Sequence, residues 1–159
     1  ITYLARLNHR SGGAPIAALR RGLRRPPRAT VEMLPYIAAW LPDDRASWQE
    51  DTYFIMASLF ASHPVVGGKG NMGNHFARAQ IVERDITTAE RRFANLLSAH
   101  HEDLPLHLRQ AIEYLRAKKL LVNWHRLFSD IQDWDHPTGY VQKEWAQSFW
   151  GKTRPQEKS

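Results

Sequence analysis

Residues 47–62 read SWQEDTYFIMASLFAS, and this stretch decides the fold class. Ser47 followed three residues later by Glu50 is a capping-box pattern, which opens a helix by satisfying its first free amides. Beyond it, Tyr53, Phe54, Ile55, Met56, Ala57, Leu59 and Phe60 leave no polar face, so the spacing predicts a helix buried on nearly every side. His63-Pro64 ends it. A helix of this kind needs a jacket of other helices, and the flanking sequence supplies helical periodicity almost throughout, with no convincing alternating strand.

On the N-terminal side, Pro15 starts a short helix to about Leu23, with Ile16, Leu19 and Leu23 on one face, and Pro26-Pro27 stops it. A second helix is expected over Thr30–Leu41, accommodating Pro35. On the C-terminal side, residues 67–73 carry four glycines and read as a loop, followed by a short helix from Asn74 to about Gln80. Thr87 with Glu90 forms a second capping box for a helix reaching about His100. Asp103 caps a helix with Leu108, Ile112 and Leu115 as its stripe, and Asn123 caps one using Trp124, Leu127, Phe128 and Ile131. The last helix, Gly139–Trp150, buries Val141, Trp145 and Phe149. The expected architecture is all-α with two small helical domains, 1–82 basic and 83–150 a four-helix bundle, and a polar tail over 151–159.

Charge is the second strong signal. Arg6, Arg10, Arg20, Arg21, Arg24, Arg25 and Arg28 all precede the first acid, Glu32, whereas the rest of the chain nearly balances 15 Lys and Arg against 16 Asp and Glu. A one-sided potential built only from Arg, whose planar fork matches phosphate, points to a nucleic-acid partner over a merely solvated face. Smaller clusters add to it: Arg91-Arg92 opens one helix, Arg109 and Arg116 share a face of the next, and Lys118-Lys119 ends that helix. Together with the Arg-rich start they are expected to form one stripe. Arg20 and Arg21, beside a satisfied apolar face, are expected to be available to a ligand and to cost little stability when removed.

Other chemistry is poorly supported. The absence of cysteine excludes disulfides, thiolate zinc sites and thiol catalysis, and suits a cytoplasmic protein. No apolar run approaches a membrane span. The chain opens at Ile1 without an initiator Met, so further N-terminal residues are expected, and nothing suggests a signal peptide. Gly68–Gly73 matches G-x-G-x-x-G, but a helix precedes it and no strand follows, so a mobile linker touching phosphate through Lys69 is the favoured reading. The His100-His101-Glu102-Asp103 and Asp133-Asp135-His136 groups lack metal-ligand spacing. No cofactor, metal site or catalytic residue is expected. Trp124, Trp134, Trp145 and Trp150 read as core or subunit contacts.

The order of motifs carries a resemblance. LRRG (Leu19–Gly22) precedes FIMASLFASHP (Phe54–Pro64), then a glycine-rich loop, ERRFANLLSAHHEDLPLHLRQAI (Glu90–Ile112), NWHRLFSDIQDW (Asn123–Trp134) and VQKEWAQSFW (Val141–Trp150). Over about residues 15–150 the chain resembles the CasB family, the small subunit of the type I-E CRISPR surveillance complex Cascade. The resemblance implies an all-helical, two-domain, non-catalytic protein. It implies two copies associating head to tail beside the backbone and large subunits, steadying guide RNA on target DNA and the displaced non-target strand. Carried over residue by residue, it selects Arg20 and Arg21, then Arg91, Arg92 and Arg109, with Lys143 in a basic neighbourhood. Arg24, Arg25, Arg116, Lys118 and Lys119 are added from charge alone. The competing readings are a stand-alone helical DNA-binding regulator, for which the Arg-rich helix offers no base-reading Asn or Gln, and an enzyme with a cleft around His100, Asp103 and His107.

Overall fold

The computed structural model describes residues 1–10, 13–24, 31–43, 47–83 and 86–151, the side chains of Arg24, Ser47 and Trp48 excepted. Among them there are helices and no strand, in the order α1 Thr2–Arg10, α2 Gly13–Arg21, α3 Leu34–Ile37, α4 Ser47–Ser62, α5 Met72–Val82, α6 Ile86–Leu97, α7 Leu104–Ala117, α8 Trp124–Gln132 and α9 Tyr140–Trp150. Short 3-10 turns at Gly22–Arg24, Val31–Met33 and Ala38–Trp40 join the first helices.

α4 is the axis of the first half. Its all-round apolarity is met by α2 and the 22–24 turn, by α3, and by α7 and α8. Phe54, Met56, Leu59 and Phe60 are buried, and Phe60 meets Trp124 of α8 edge to face at 5.5 Å. α5 packs on α9 and α6, and α6 packs on α7. α5, which precedes the expected division between 1–82 and 83–150, thus packs on helices of the second half. The buried residues form one cluster from Leu4 to Phe149, through Phe76, Phe93, Trp124 and Trp145.

Several local expectations change. α1 has no counterpart in the sequence reading. The helix expected over Thr30–Leu41 is broken into a 3-10 turn, the one-turn α3 with Pro35 in its first turn, and a second 3-10 turn. Pro35 has no N–H to bond back to the preceding turn, so it is tolerated in the first turn of α3 and the helix does not run on continuously from Val31. The Pro26-Pro27 stop and Thr30 lie outside the described residues, as do the 152–159 tail and the Ser47 side chain of the first capping box. α6 begins at Ile86, which puts Thr87 inside the first turn and not at the cap. Asp103 stands at the N-cap of α7 without a side-chain cap bond, its backbone being helical there, whereas Asn123 does cap α8 by accepting from Arg126 N at 3.2 Å. α5 starts at Met72, two residues early, because Asn71 and Asn74 cap each other reciprocally: Asn74 N–H donates to Asn71 Oδ1 at 3.2 Å and Asn71 N–H to Asn74 Oδ1 at 2.9 Å.

Candidate nucleic-acid interface

The Arg-rich start folds into α1, α2 and the 22–24 turn. Arg6, Arg10, Arg20 and Arg21 are exposed on these elements, while the Arg24 side chain and residues Arg25 and Arg28 lie outside the described residues. Arg20 and Arg21 are not equivalent. Arg20 Nε donates to Ala61 O at 3.2 Å, and from α7 Arg116 Nη1 donates to Ser62 O at 3.2 Å, so two guanidiniums converge on the free carbonyls ending α4. Those carbonyls carry the negative end of the α4 dipole, which favours cations there. The acceptors are neutral, so both arginines keep their full charge at the surface. Arg21 instead donates to Ala17 O and pairs with Glu32 at 3.1 Å, both partners exposed. The two arginines thus differ in what else they do: Arg20 also clamps a helix end, and Arg21 also pairs with an acid.

Arg109 is committed to the scaffold as well. Its Nη1 donates to Leu23 O at 3.2 Å, pinning the turn after α2 to α7, and its Nε meets Glu113 Oε1 at 3.3 Å. Arg109 and Arg116 occupy the α7 flank facing α2 and α4. The other flank, about 160° round at about 100° per residue, faces α6. There Arg91, Arg92 and Asn95 of α6 and His107, Gln110 and Ala111 of α7 line a groove of about 180 Å³ without a carboxylate. Arg92 also lies over the Tyr114 ring at 5.1 Å. Lys118 approaches the same ring at 5.7 Å but is half-buried and pairs with Glu83 at 3.1 Å, and Tyr114 donates its hydroxyl to the same carboxylate. The single basic stripe expected from the sequence is thus split into two surfaces by α7 itself. Lys119, at the left-handed φ of 58° that ends α7, and Lys143 on α9 are exposed.

His107 belongs to the cationic groove, while His101 lies in another cleft, 3.1 Å from Asp135, with Glu102 and Asp51. Of His100, Asp103 and His107, the residues of the competing enzyme reading, only His107 lines either of these two clefts. Among the described residues no group of three or more His, Asp or Glu side chains is placed to hold a metal ion. No described helix is long and apolar enough to cross a membrane.

The glycine-rich segment is a packing joint, which overturns the mobile-linker reading. A Cβ on Gly73 would lie 2.0 Å from Trp145 O, and one on Gly68 2.3 Å from the Val122 carbonyl carbon, so both glycines exist to let backbones touch. Arg78 donates to Lys69 O at 2.8 Å, Asn123 to Gly70 O at 3.1 Å and Asn71 to Ser148 Oγ at 2.9 Å. Lys69 is held there by its backbone, with its side chain exposed. His75, 1% exposed, has Nε2 3.0 Å from the Asn123 N–H and Nδ1 3.0 Å from Arg78 Nη1, so both ring nitrogens face donors and neither has an acceptor for a second proton. Burial, reinforced by Arg78, pushes its pKa down to about 4. Sequence reading gives no sign of His75, because one histidine in a helix has no pattern. Of the tryptophans, Trp124, Trp134 and Trp145 are buried, and the Trp150 indole donates to Glu90 at 2.9 Å. Trp145 donates to the buried Asp130 at 2.7 Å, and Asp130 also receives Arg126 at 2.9 Å.

The model of the CRISPR-associated protein Cse2 family matches residues 15–150. The chain belongs to the Cse2 family. A curated Cse2 relative from Thermus thermophilus is 28% identical over 162 residues, spanning 99% of this chain and 91% of the relative. The crystal structure of a Cse2-family protein from the same organism superposes with a TM-score of 0.82 at 26% identity, covering 94% of both chains. The M. ruber CasB structure gives 0.79 at 24% identity, covering 96% of this chain and 92% of that one. A chain of a CRISPR RNA-guided surveillance complex gives 0.74 at 21% identity, covering 93% and 86%. The Cse2 membership and the all-helical fold agree, and the CasB resemblance read from the motifs stands.

Proposed function

We propose that this Cse2-family chain is a non-catalytic subunit of a type I-E CRISPR surveillance complex. In this reading it works in the cytoplasm, beside a second copy and the backbone and large subunits, and holds nucleic acid by sequence-independent contacts. Its surfaces steady the guide RNA–target DNA hybrid and the displaced strand. The observation that carries the reading is that four exposed guanidiniums, Arg20, Arg116, Arg91 and Arg92, have no carboxylate partner among the described residues. Arg20 and Arg116 are anchored to neutral carbonyls, and Arg92 to a ring face, so each is oriented without being neutralised. Sequence is read by guide pairing in such a complex, so the protein needs only to bind backbones and shapes. Arg21, Arg24, Arg25, Arg109, Lys118, Lys119 and Lys143 complete the proposed surface in a secondary role. Arg109 and Lys118 act chiefly by holding α7 to its neighbours.

The test is strand binding as a function of salt. Single-stranded DNA should bind with little sequence preference and weaken by about 0.7 log units per log unit of salt for each phosphate neutralised. Replacing Arg91 and Arg92 with Ala should flatten that slope by one to two phosphates' worth. An affinity unchanged between low and physiological salt would refute the reading. Co-purification of the chain with guide RNA and partner subunits tests the assembly part.

A further inference from the structure

One large aromatic surface plays no part in these basic faces. α1, the Ala38–Trp40 turn, α4 and α8 enclose a cavity of about 330 Å³ lined by Tyr3, Trp40, Tyr53, His125 and Phe128, with Met56 at its floor. That is within the size range of small-ligand sites. Tyr3 and Trp40 stand 5.2 Å apart, tilted by 36°, and Tyr53 meets Phe128 edge to face at 5.0 Å. Trp40 is 55% exposed, more than any Phe or other Trp among the described residues. No carboxylate lines the cavity. Arg6 and Arg10 follow Tyr3 at three and seven residues, on the same side of α1, and both are exposed.

We propose that this cavity receives one unstacked base of a bound single strand, while Arg6 and Arg10 hold the phosphates beside it. This rests on the nucleic-acid reading above and adds a second, non-ionic mode of binding to it. Two observations favour a base over an apolar side chain of a partner protein. The cavity presents five rings, Tyr3, Trp40, Tyr53, His125 and Phe128, beside its aliphatic residues, and rings are the surface on which bases stack whatever their sequence. Arg6 and Arg10 come from the acid-free stretch and stand on the Tyr3 side of α1, so this flank complements a phosphate backbone. No Phe, Tyr or Trp lines the groove between α6 and α7, so the two sites differ in kind: one grips charge, the other a ring.

The experiment uses the full chain and a short fluorescein-labelled single-stranded DNA, with affinity measured over a series of salt concentrations. Stacking releases no counterions, so Trp40→Ala should weaken binding about ten-fold, consistent with loss of a single stacked base, and leave the salt slope unchanged. Trp40→Phe should recover most of the affinity. Arg6→Ala with Arg10→Ala should do the converse and flatten the slope. Melting temperatures taken on the same samples keep a folding defect from passing as a binding one, and Trp40, being exposed, is removable without emptying the core. If the native chain binds no strand at all, the nucleic-acid reading falls and the base site with it. If it binds and Trp40→Ala matches it, or loses affinity only by altering the salt slope, the base site alone is overturned.

Discussion

Lowering the pH should loosen this protein through a single buried imidazole. His75 is neutral in the fold, with a pKa near 4, against about 6.5 when exposed. The unfolded chain therefore takes up a proton at a pH where the folded chain does not. Stability from this group is fully present above about pH 6.5, declines as the pH falls, and is gone once the pH passes through about 4. By linkage the loss reaches about 2 kcal/mol at pH 5 and about 3 kcal/mol at pH 4. For a chain of this size each kcal/mol moves the melting temperature by about 2–4 °C, so the pH 5 value corresponds to roughly 6 °C. The physical event is specific. A proton on Nε2 turns the acceptor of Asn123 N–H into a donor and puts a cation against Arg78, so the first turn of α8 and the glycine joint lose their shared anchor. Carboxylates also contribute to acid unfolding, which is why the informative measurement is a difference. Thermal melts of native protein and His75→Gln are compared at pH 7, 5 and 4. Gln offers an uncharged acceptor, so the native protein's advantage at pH 7 should shrink by about 3 kcal/mol on reaching pH 4. A constant gap across that range would refute the argument.

Gly73→Ala should lower the melting temperature by about 4–8 °C, because forcing α5 off the Trp145 backbone oxygen costs about 3 kcal/mol against a helix-propensity gain of about 1 kcal/mol. An unchanged or raised melting temperature would sink that. Arg20→Ala and Arg116→Ala should each cost about 1 kcal/mol in denaturant unfolding by uncovering an α4 carbonyl. Arg21→Ala, which breaks only an exposed pair, should cost under about 0.5 kcal/mol, so equal losses would contradict the assignment. Lys118→Ala should leave the salt slope of strand binding unchanged while lowering stability, since its charge is already spent on Glu83.

What the sequence discloses follows from where the information resides. α4 and α6 to α9 have enough turns for periodicity to show, and their stripe residues, Phe93, Leu108, Leu127 and Trp145 among them, are the buried ones. The region from Val31 to Trp40 reads wrongly as one helix because it is divided into three pieces too short to carry a period. The glycines stand out as special but suggest the wrong reason. Loops and close backbone crossings both select glycine, and only the approach of Trp145 distinguishes them. The arginines can be counted from the sequence, but a sequence cannot say which guanidinium has a carbonyl within reach. Arg20 and Arg21, adjacent in the chain, therefore look alike there and differ in the fold.

That difference bears on why the chain uses Arg and not Lys on these surfaces. A guanidinium has five donors in a rigid fork, so one N–H can close a helix end while others remain directed outward. Arg20 and Arg116 each spend a single hydrogen bond on α4, and Arg92 spends only a ring contact. An ammonium is a compact charge on a flexible stem with three donors and no fixed fork, so it would not hold the remaining donors in a set outward direction. Positive charge held by neutral acceptors is also oriented before any strand arrives, so less side-chain entropy is lost on binding. The consequence is a coupling that charge alone does not foresee: the residues best placed to hold a strand also fasten α4 to α2 and α7. Changes at Arg20 or Arg116 should therefore alter stability and binding together, while changes at Arg91 should alter binding alone.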